Sequence, residues 1–191
     1  LEENSNARHY VGIFLRIIII LSIIWSVFQI YMSTIGVMEA ITFRVWHLGF
    51  LFLFAFIFYP ASKRGKGERK MPTWFDWICI AATIGTTAYF LLTYESFIRE
   101  RAGENTTMDL WVGALAIILL FEASRRVVGN ALSIIALIFL LYNFFGAYIP
   151  GMLGHYGFSI ERVINIMYWG GQGIFGTALG VSATYIFIFV L

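Results

Sequence analysis

The sequence predicts an all-α integral membrane protein with about five full transmembrane helices, a short interfacial amphipathic helix and the start of a sixth span. Three observations predict it. Of the 191 residues, 60% are hydrophobic and only 13% charged, against roughly 25% charged in a soluble domain. The apolar residues fall in long runs parted by short charged stretches, the pattern a bilayer imposes. Aromatic residues are abundant, with 19 Phe, 10 Tyr and 6 Trp, as bilayer interfaces favour.

The first run, Val11 to about Tyr31, has IIIILSII at its heart. About 20 apolar residues rising ~1.5 Å each cross a hydrocarbon core roughly 30 Å thick. The run is too long for the apolar region of a signal peptide, and no small-residue cleavage site follows it. A polar break over Ser33–Thr42 contains Gly36 and Glu39, and the second span, about Phe43 to Tyr59, stops at Pro60. Ala61–Pro72 is a short basic loop with Lys63, Arg64, Lys66, Arg69 and Lys70 against Glu68.

The third span covers about Trp74 to Thr93, and a loop of mixed charge, Tyr94–Met108, follows. Thr107 or Asp109 is placed to cap the next helix. Asp109–Tyr148 is mostly apolar, and as one helix it would be roughly 60 Å long, twice the membrane. Arg125, Arg126 and Gly129 sit in its middle. Charge at the bilayer centre costs a few kcal/mol and glycine ends helices, so the region divides into a fourth span, Asp109–Arg126, and a fifth, Asn130–Tyr148. Ser159–Trp169 interleaves Glu161, Arg162 and Asn165 with apolar residues, which predicts the interfacial helix. The sixth apolar run is Thr177–Leu191. A chain that begins at Leu1 and stops within an apolar run reads as a piece of a longer polypeptide.

Orientation follows from Lys and Arg in short loops. With the basic loop in the cytoplasm, the inner set is Arg8, Arg16, Lys63, Arg64, Lys66, Arg69, Lys70, Arg125 and Arg126. The outer set is only Arg44, Arg99, Arg101 and Arg162. The N-terminus is therefore expected inside, and the loops around Glu39, Glu95–Glu104 and His155 outside.

Glu122, Arg125 and Arg126 share one helix face. They read either as a gate or partner contact, or as a local ion pair that anchors the span at the inner surface. Arg44 and His47, with Glu39 before them, could form an outer polar cluster, or Arg44 could simply snorkel to the interface. Bis-histidine haem at His47 lacks a second intramembrane histidine, since the others are His9 and His155. Asp76 opens the third span and suits the helix dipole. The tryptophans Trp74, Trp77, Trp46, Trp111 and Trp169 read as interface residues. Cys79, the single cysteine, reads as a small buried hydrophobe. Gly176 and Gly180 form G-x-x-x-G behind Gly170, Gly171 and Gly173, which suits close helix packing or a hinge.

A net charge of +2 gives no reason to expect nucleic acid. No phosphate-binding loop, H-E-x-x-H, C-x-x-C or Ser/His/Asp set occurs, so no catalytic activity or cofactor is expected. No span carries a row of carboxylates that would mark an ion path.

TFRVWHLGFLFLFAFIFYP, TMDLWVGALAIILLFEASRRVVGNALSIIALIFLLYNFFGAYIPGMLGHYGFSIERVI and GGQGIFGTALGVSATYIFIFVL resemble the N-terminal part of fused TRAP (tripartite ATP-independent periplasmic) transporter permeases of the TAXI class. The resemblance runs from about Ile35 to Leu191. EASRRVVG and GIFG…LGVSAT are its most specific parts. It implies a small-subunit scaffold over residues 1–129, a linking transmembrane helix over 130–150, and the start of the large transport subunit over 151–191.

The implied partners are that large subunit, fused or associated, a periplasmic substrate-binding protein, and membrane lipids. The implied activity is import of small organic anions across a bacterial or archaeal inner membrane. Na+ is the expected coupling ion and H+ the second choice. Read from the residues themselves, Glu122, Arg125 and Arg126 are expected as an inner-surface anchor, and Gly173, Gly176 and Gly180 as scaffold packing positions. The chain departs from such permeases in length: the hairpins that would hold sodium and substrate are expected beyond Leu191. The alternative is a membrane anchor or assembly subunit without transport activity, and a membrane redox subunit comes third.

Overall fold

The computed structural model describes residues 7–61 and 71–190. The basic residues Lys63, Arg64, Lys66, Arg69 and Lys70 fall outside them. Among the described residues five helices are long and apolar enough to cross a membrane: α1 (Ile13–Thr34), α2 (Ala40–Phe58), α3 (Trp74–Arg99), α4 (Thr107–Val127) and α5 (Asn130–Phe145, prolonged by a 3-10 turn to Tyr148). They are followed by α6 (Ile160–Ile164), α7 (Thr177–Val181) and α8 (Phe187–Val190). Among the described residues there is no strand, and the chain is an all-α, multi-pass membrane protein.

The division of the long apolar region holds. Gly129, at φ 112°, separates α4 from α5, a backbone conformation that costs glycine nothing and other residues a good deal. Arg125 and Arg126 occupy the last turn of α4, where cations offset the helix dipole.

The third span runs past Thr93 to Arg99, because its buried stripe continues. Phe90, Tyr94 and Phe97, spaced three and four apart, are all buried, so half of the expected loop is helix. The cap of α4 is Thr106 rather than Thr107 or Asp109. Its hydroxyl accepts the Asp109 N–H at 3.3 Å, and the Asp109 carboxylate accepts the Thr106 N–H at 2.8 Å, a reciprocal capping box.

α2, α3 and α4 pack as the centre of the bundle. The core's aromatic heart is Phe90, stacked on Tyr94 at 4.8 Å and on Trp169 at 5.0 Å between ring centroids. Trp169 is thus no interface residue: it is 1% exposed, and its indole N–H donates to the Asp109 carbonyl at 3.1 Å. The segment Ser159–Trp169 forms α6 and a wider π-type turn. It lays Val163, Ile164, Tyr168 and Trp169 into the core. Gly113 makes room for it on α4, since a Cβ there would stand 2.5 Å from Ile164 Cγ2.

α1 buries only Ile18 and Gln29, and α5 buries nothing. Beyond α5 the chain folds back on itself. The Gly157 N–H donates to His155 Nδ1 at 3.0 Å, so His155 Nε2 carries the proton towards the Tyr142 carbonyl 3.2 Å away. The Phe158 N–H reaches the Asn143 carbonyl at 2.9 Å.

Candidate functional site

Polar side chains gather at three places in the bundle. At one end, the N-terminal segment, the end of α2, the start of α3 and the end of α4 converge on Asp76, which is fully buried. Thr73 and Asp76 build a second capping box, so Asp76 Oδ2 accepts from the Thr73 N–H at 2.7 Å and the Thr73 hydroxyl at 2.8 Å. The same oxygen pairs with Arg8. Arg126 Nη1 donates to Oδ1 at 2.6 Å. The expected dipole role of Asp76 is therefore the smaller part of what it does.

Arg126 also donates Nε–H to Glu122 Oε1 at 2.8 Å and Nη1 to the Tyr59 carbonyl at 3.1 Å. Its guanidinium carbon lies 4.8 Å from the centre of the Phe56 ring, a cation–π contact. Arg125 grips Glu122 with two bonds of 2.8 Å and the Ala61 carbonyl at 2.9 Å. Arg8 donates to the Phe56 and Ile57 carbonyls at 3.1 and 2.7 Å. Cys79, buried as expected, offers Sγ to Arg126 at 3.8 Å. Three arginines thus share two carboxylates and several carbonyls freed where α2 ends. Each charge is paired, as burial requires, and among the polar atoms of these three arginines and two carboxylates Arg8 Nε is buried without a hydrogen-bond partner. Tyr10, just outside α1, donates its hydroxyl to the Ile57 carbonyl at 2.7 Å. Burial pushes its pKa up, with Arg8 pulling the other way.

The opposite end repeats the device with Asp109, also fully buried. It pairs with Arg101 and accepts from the Tyr89 hydroxyl at 2.8 Å. Thr-x-x-Asp occurs at both places in the sequence, and that was the readable signal for both clusters. Arg8, 68 residues before Asp76, carries no local signal.

A third group of polar side chains lies where the sixth segment runs beside α1 and α2. Residues Ser182–Ile186 form a π-type turn. In an α-helix the Phe187 N–H would reach the Ala183 carbonyl; here it bonds the Ser182 and Thr184 carbonyls. The Ala183 carbonyl instead accepts from Gln29 Nε2, and Ser33 Oγ approaches it at 3.4 Å. His47 Nε2 lies 3.3 Å from Ser182 Oγ. Among the described residues, Trp25 Nε1, Gln29 Oε1 and His47 Nδ1 have no hydrogen-bond partner.

Arg44 does not snorkel freely. Its Nη1 donates to the Phe175 carbonyl at 2.7 Å. A Cβ on Gly180 would stand 2.8 Å from the Arg44 guanidinium. Gly173 and Gly176 admit no side chain either. The first would meet Ile166 and Met167 backbone at 2.5 Å and the second the Gly173 carbonyl at 2.9 Å. Gly176 precedes α7, so the G-x-x-x-G begins ahead of the helix; what Gly180 meets is an arginine of α2. The structure therefore brings Gly180, Arg44 and His47 together, while Glu122, Arg125 and Arg126 belong to the separate end cluster around Asp76.

Among the described residues, no three His, Cys, Asp or Glu side chains are placed to hold a metal ion. No family model, curated protein or solved structure matches this chain.

Proposed function

We propose that the chain is the scaffold part of a secondary active transporter permease, which imports small organic anions, carboxylates first, with a periplasmic substrate-binding protein and an ion gradient. Na+ is the first choice of ion and H+ the second. The membrane is a bacterial or archaeal inner membrane with the N-terminus inside. The large transport subunit, continuous with residues 151–191 or associated with them, supplies the substrate and ion sites. Glu122, Arg125 and Arg126 anchor the scaffold at the inner surface, and Gly173, Gly176 and Gly180 serve packing.

The observation that supports this reading is the seating of the sixth segment. A glycine-rich turn and an irregular span are held to α1 and α2 through their main chain, by Gln29 at Ala183 and Arg44 at Phe175. In secondary transporters interrupted helices recur at the interface between repeats, near the substrate and ion sites. Non-helical backbone is tolerated at membrane depth only when protein or a cavity satisfies it.

The test is uptake. The longest natural form of the polypeptide is reconstituted in liposomes with candidate binding proteins, and labelled small carboxylates are followed with and without an inward Na+ gradient. Uptake that needs both the binding protein and the gradient supports the reading, and dependence on a proton gradient instead changes the ion. No uptake by folded protein under either gradient favours the anchor reading. Glu95, Glu100 and Glu104 are exposed, and reversing all three to Lys is expected to slow docking of the binding protein about tenfold; an unchanged association rate would remove that loop from the docking surface.

A further inference from the structure

Arg44 sits about one turn inside α2, some ~6 Å along its axis. An arginine so near a helix end either snorkels to the interface or finds partners within the protein. Among the described residues no carboxylate lies within ion-pairing distance of it.

Its guanidinium is nonetheless fixed. A Cβ on Gly180 would stand 2.8 Å from each of Cζ, Nε and Nη2. Equal distances to these three atoms put that Cβ position above the plane and over the Nε–Nη2 edge, which stays open because residue 180 is glycine. Nη1 is committed to the Phe175 carbonyl at 2.7 Å. That leaves the Nε–Nη2 edge, the fork that takes two oxygens of one carboxylate or phosphate side by side. Among the described residues this fork has no acceptor in the protein.

Arg44 also lines a cavity of about 210 Å³, with Ala40, Phe43, Thr177, Thr184 and Tyr185 around it. Drug-sized ligands occupy roughly 300–1,000 Å³, so this space suits a single oxyanion group rather than a whole amphiphile.

We propose that the pocket between α2 and the sixth segment is an oxyanion site, in which the Nε–Nη2 fork of Arg44 binds a phosphate or carboxylate. The group belongs either to a phospholipid headgroup at this end of the bundle or to a free small anion. Binding completes the charge balance of Arg44 and clamps the sixth segment to α2, since the same guanidinium already holds Phe175 and lies against Gly180. The proposal does not depend on the transport reading.

The experiment uses the longest natural polypeptide and its Arg44→Gln and Arg44→Lys variants, each checked for wild-type helicity by circular dichroism. Native mass spectrometry measures retention of phosphatidylglycerol. Thermal unfolding of delipidated protein measures the response to inorganic phosphate and to acetate. For a lipid headgroup, Arg44→Gln is expected to retain the lipid about tenfold more weakly, the loss of one charge-assisted pair, while free anions do little. For a free anion, phosphate or acetate raises the wild-type midpoint and leaves that of Arg44→Gln unmoved. Arg44→Lys keeps the charge without the fork, falls between the two, and serves alone if Arg44→Gln does not fold. Variants that retain lipid and respond to both anions as the wild type does overturn the proposal.

Discussion

Replacing Asp76 by Ala removes the one carboxylate that both Arg8 and Arg126 share. Removing one partner of a buried ion pair costs about 3–5 kcal/mol, because the other charge stays buried without compensation. The structure places this case near the lower bound. Arg126 keeps Glu122 and the Tyr59 carbonyl, and Arg8 keeps the carbonyls of Phe56 and Ile57. Loss of the Thr73–Asp76 capping box adds about 1 kcal/mol. An expected total of about 3–4 kcal/mol follows. It is measured by unfolding in mixed detergent–SDS micelles, monitored through the near-ultraviolet signal of the tryptophans.

Two controls separate the mechanism from general damage. Asp76→Ala combined with Arg126→Met removes acid and base together, and is expected to recover part of the loss, as apolar replacement of buried pairs does. Glu95→Ala breaks an ion pair of the same chemistry whose side chains are 73% and 76% exposed, and should change stability by less than about 1 kcal/mol. If Asp76→Ala unfolds within about 1 kcal/mol of the wild type, the cluster does not hold the helix ends together.

Two further outcomes follow from the packing. Gly113→Leu should lift α6 and its π-type turn off α4, exposing Trp169, and quenching of tryptophan emission by a water-soluble quencher should rise; unchanged quenching would mean that α6 is not held there. Tyr10→Phe should cost about 1 kcal/mol through the lost bond to Ile57. Because burial raises the Tyr10 pKa above its unfolded value, its contribution is complete below that unfolded value. It is lost as pH rises through the folded one, so Tyr10→Phe should unfold with a flatter alkaline limb.

The spans were legible because length and hydropathy are properties of the chain itself. Arg125, Arg126 and Gly129 divided a long apolar region in the right place because charge and a left-handed glycine both act locally. What escaped was helix rotation. α3 carries apolar residues around most of its circumference, with Trp74, Trp77, Ile84 and Leu92 exposed while Ile80, Phe90 and Phe97 are buried, so periodicity does not say which face meets α2 or α4. Asp76 and Arg8 could be recognised as partners only after that rotation was known. Trp169 and the Phe175 carbonyl as the acceptor of Arg44 escaped for a related reason. The tendencies of tryptophan and arginine to seek the interface are averages, and here a core stack and a glycine of the sixth segment provide stronger alternatives. The π-type turn at Ser182–Ile186 left no sequence signal that we recognise.

α5 has no buried residue, and the loop after it is closed by bonds to its own C-terminal turn through His155 and Asn143. Residues 163–183, by contrast, are fastened to the bundle at Trp169, Phe175 and Ala183. The peptide connection and the physical contact between the two halves are therefore separate things. On the proposal that residues 130–150 link the scaffold to the transport part, α5 is a tether that raises the local concentration of one half near the other, while recognition resides in the surfaces that meet. Two polypeptides divided within residues 146–158 carry every one of those three fastenings, and co-expressed they should find each other without the tether.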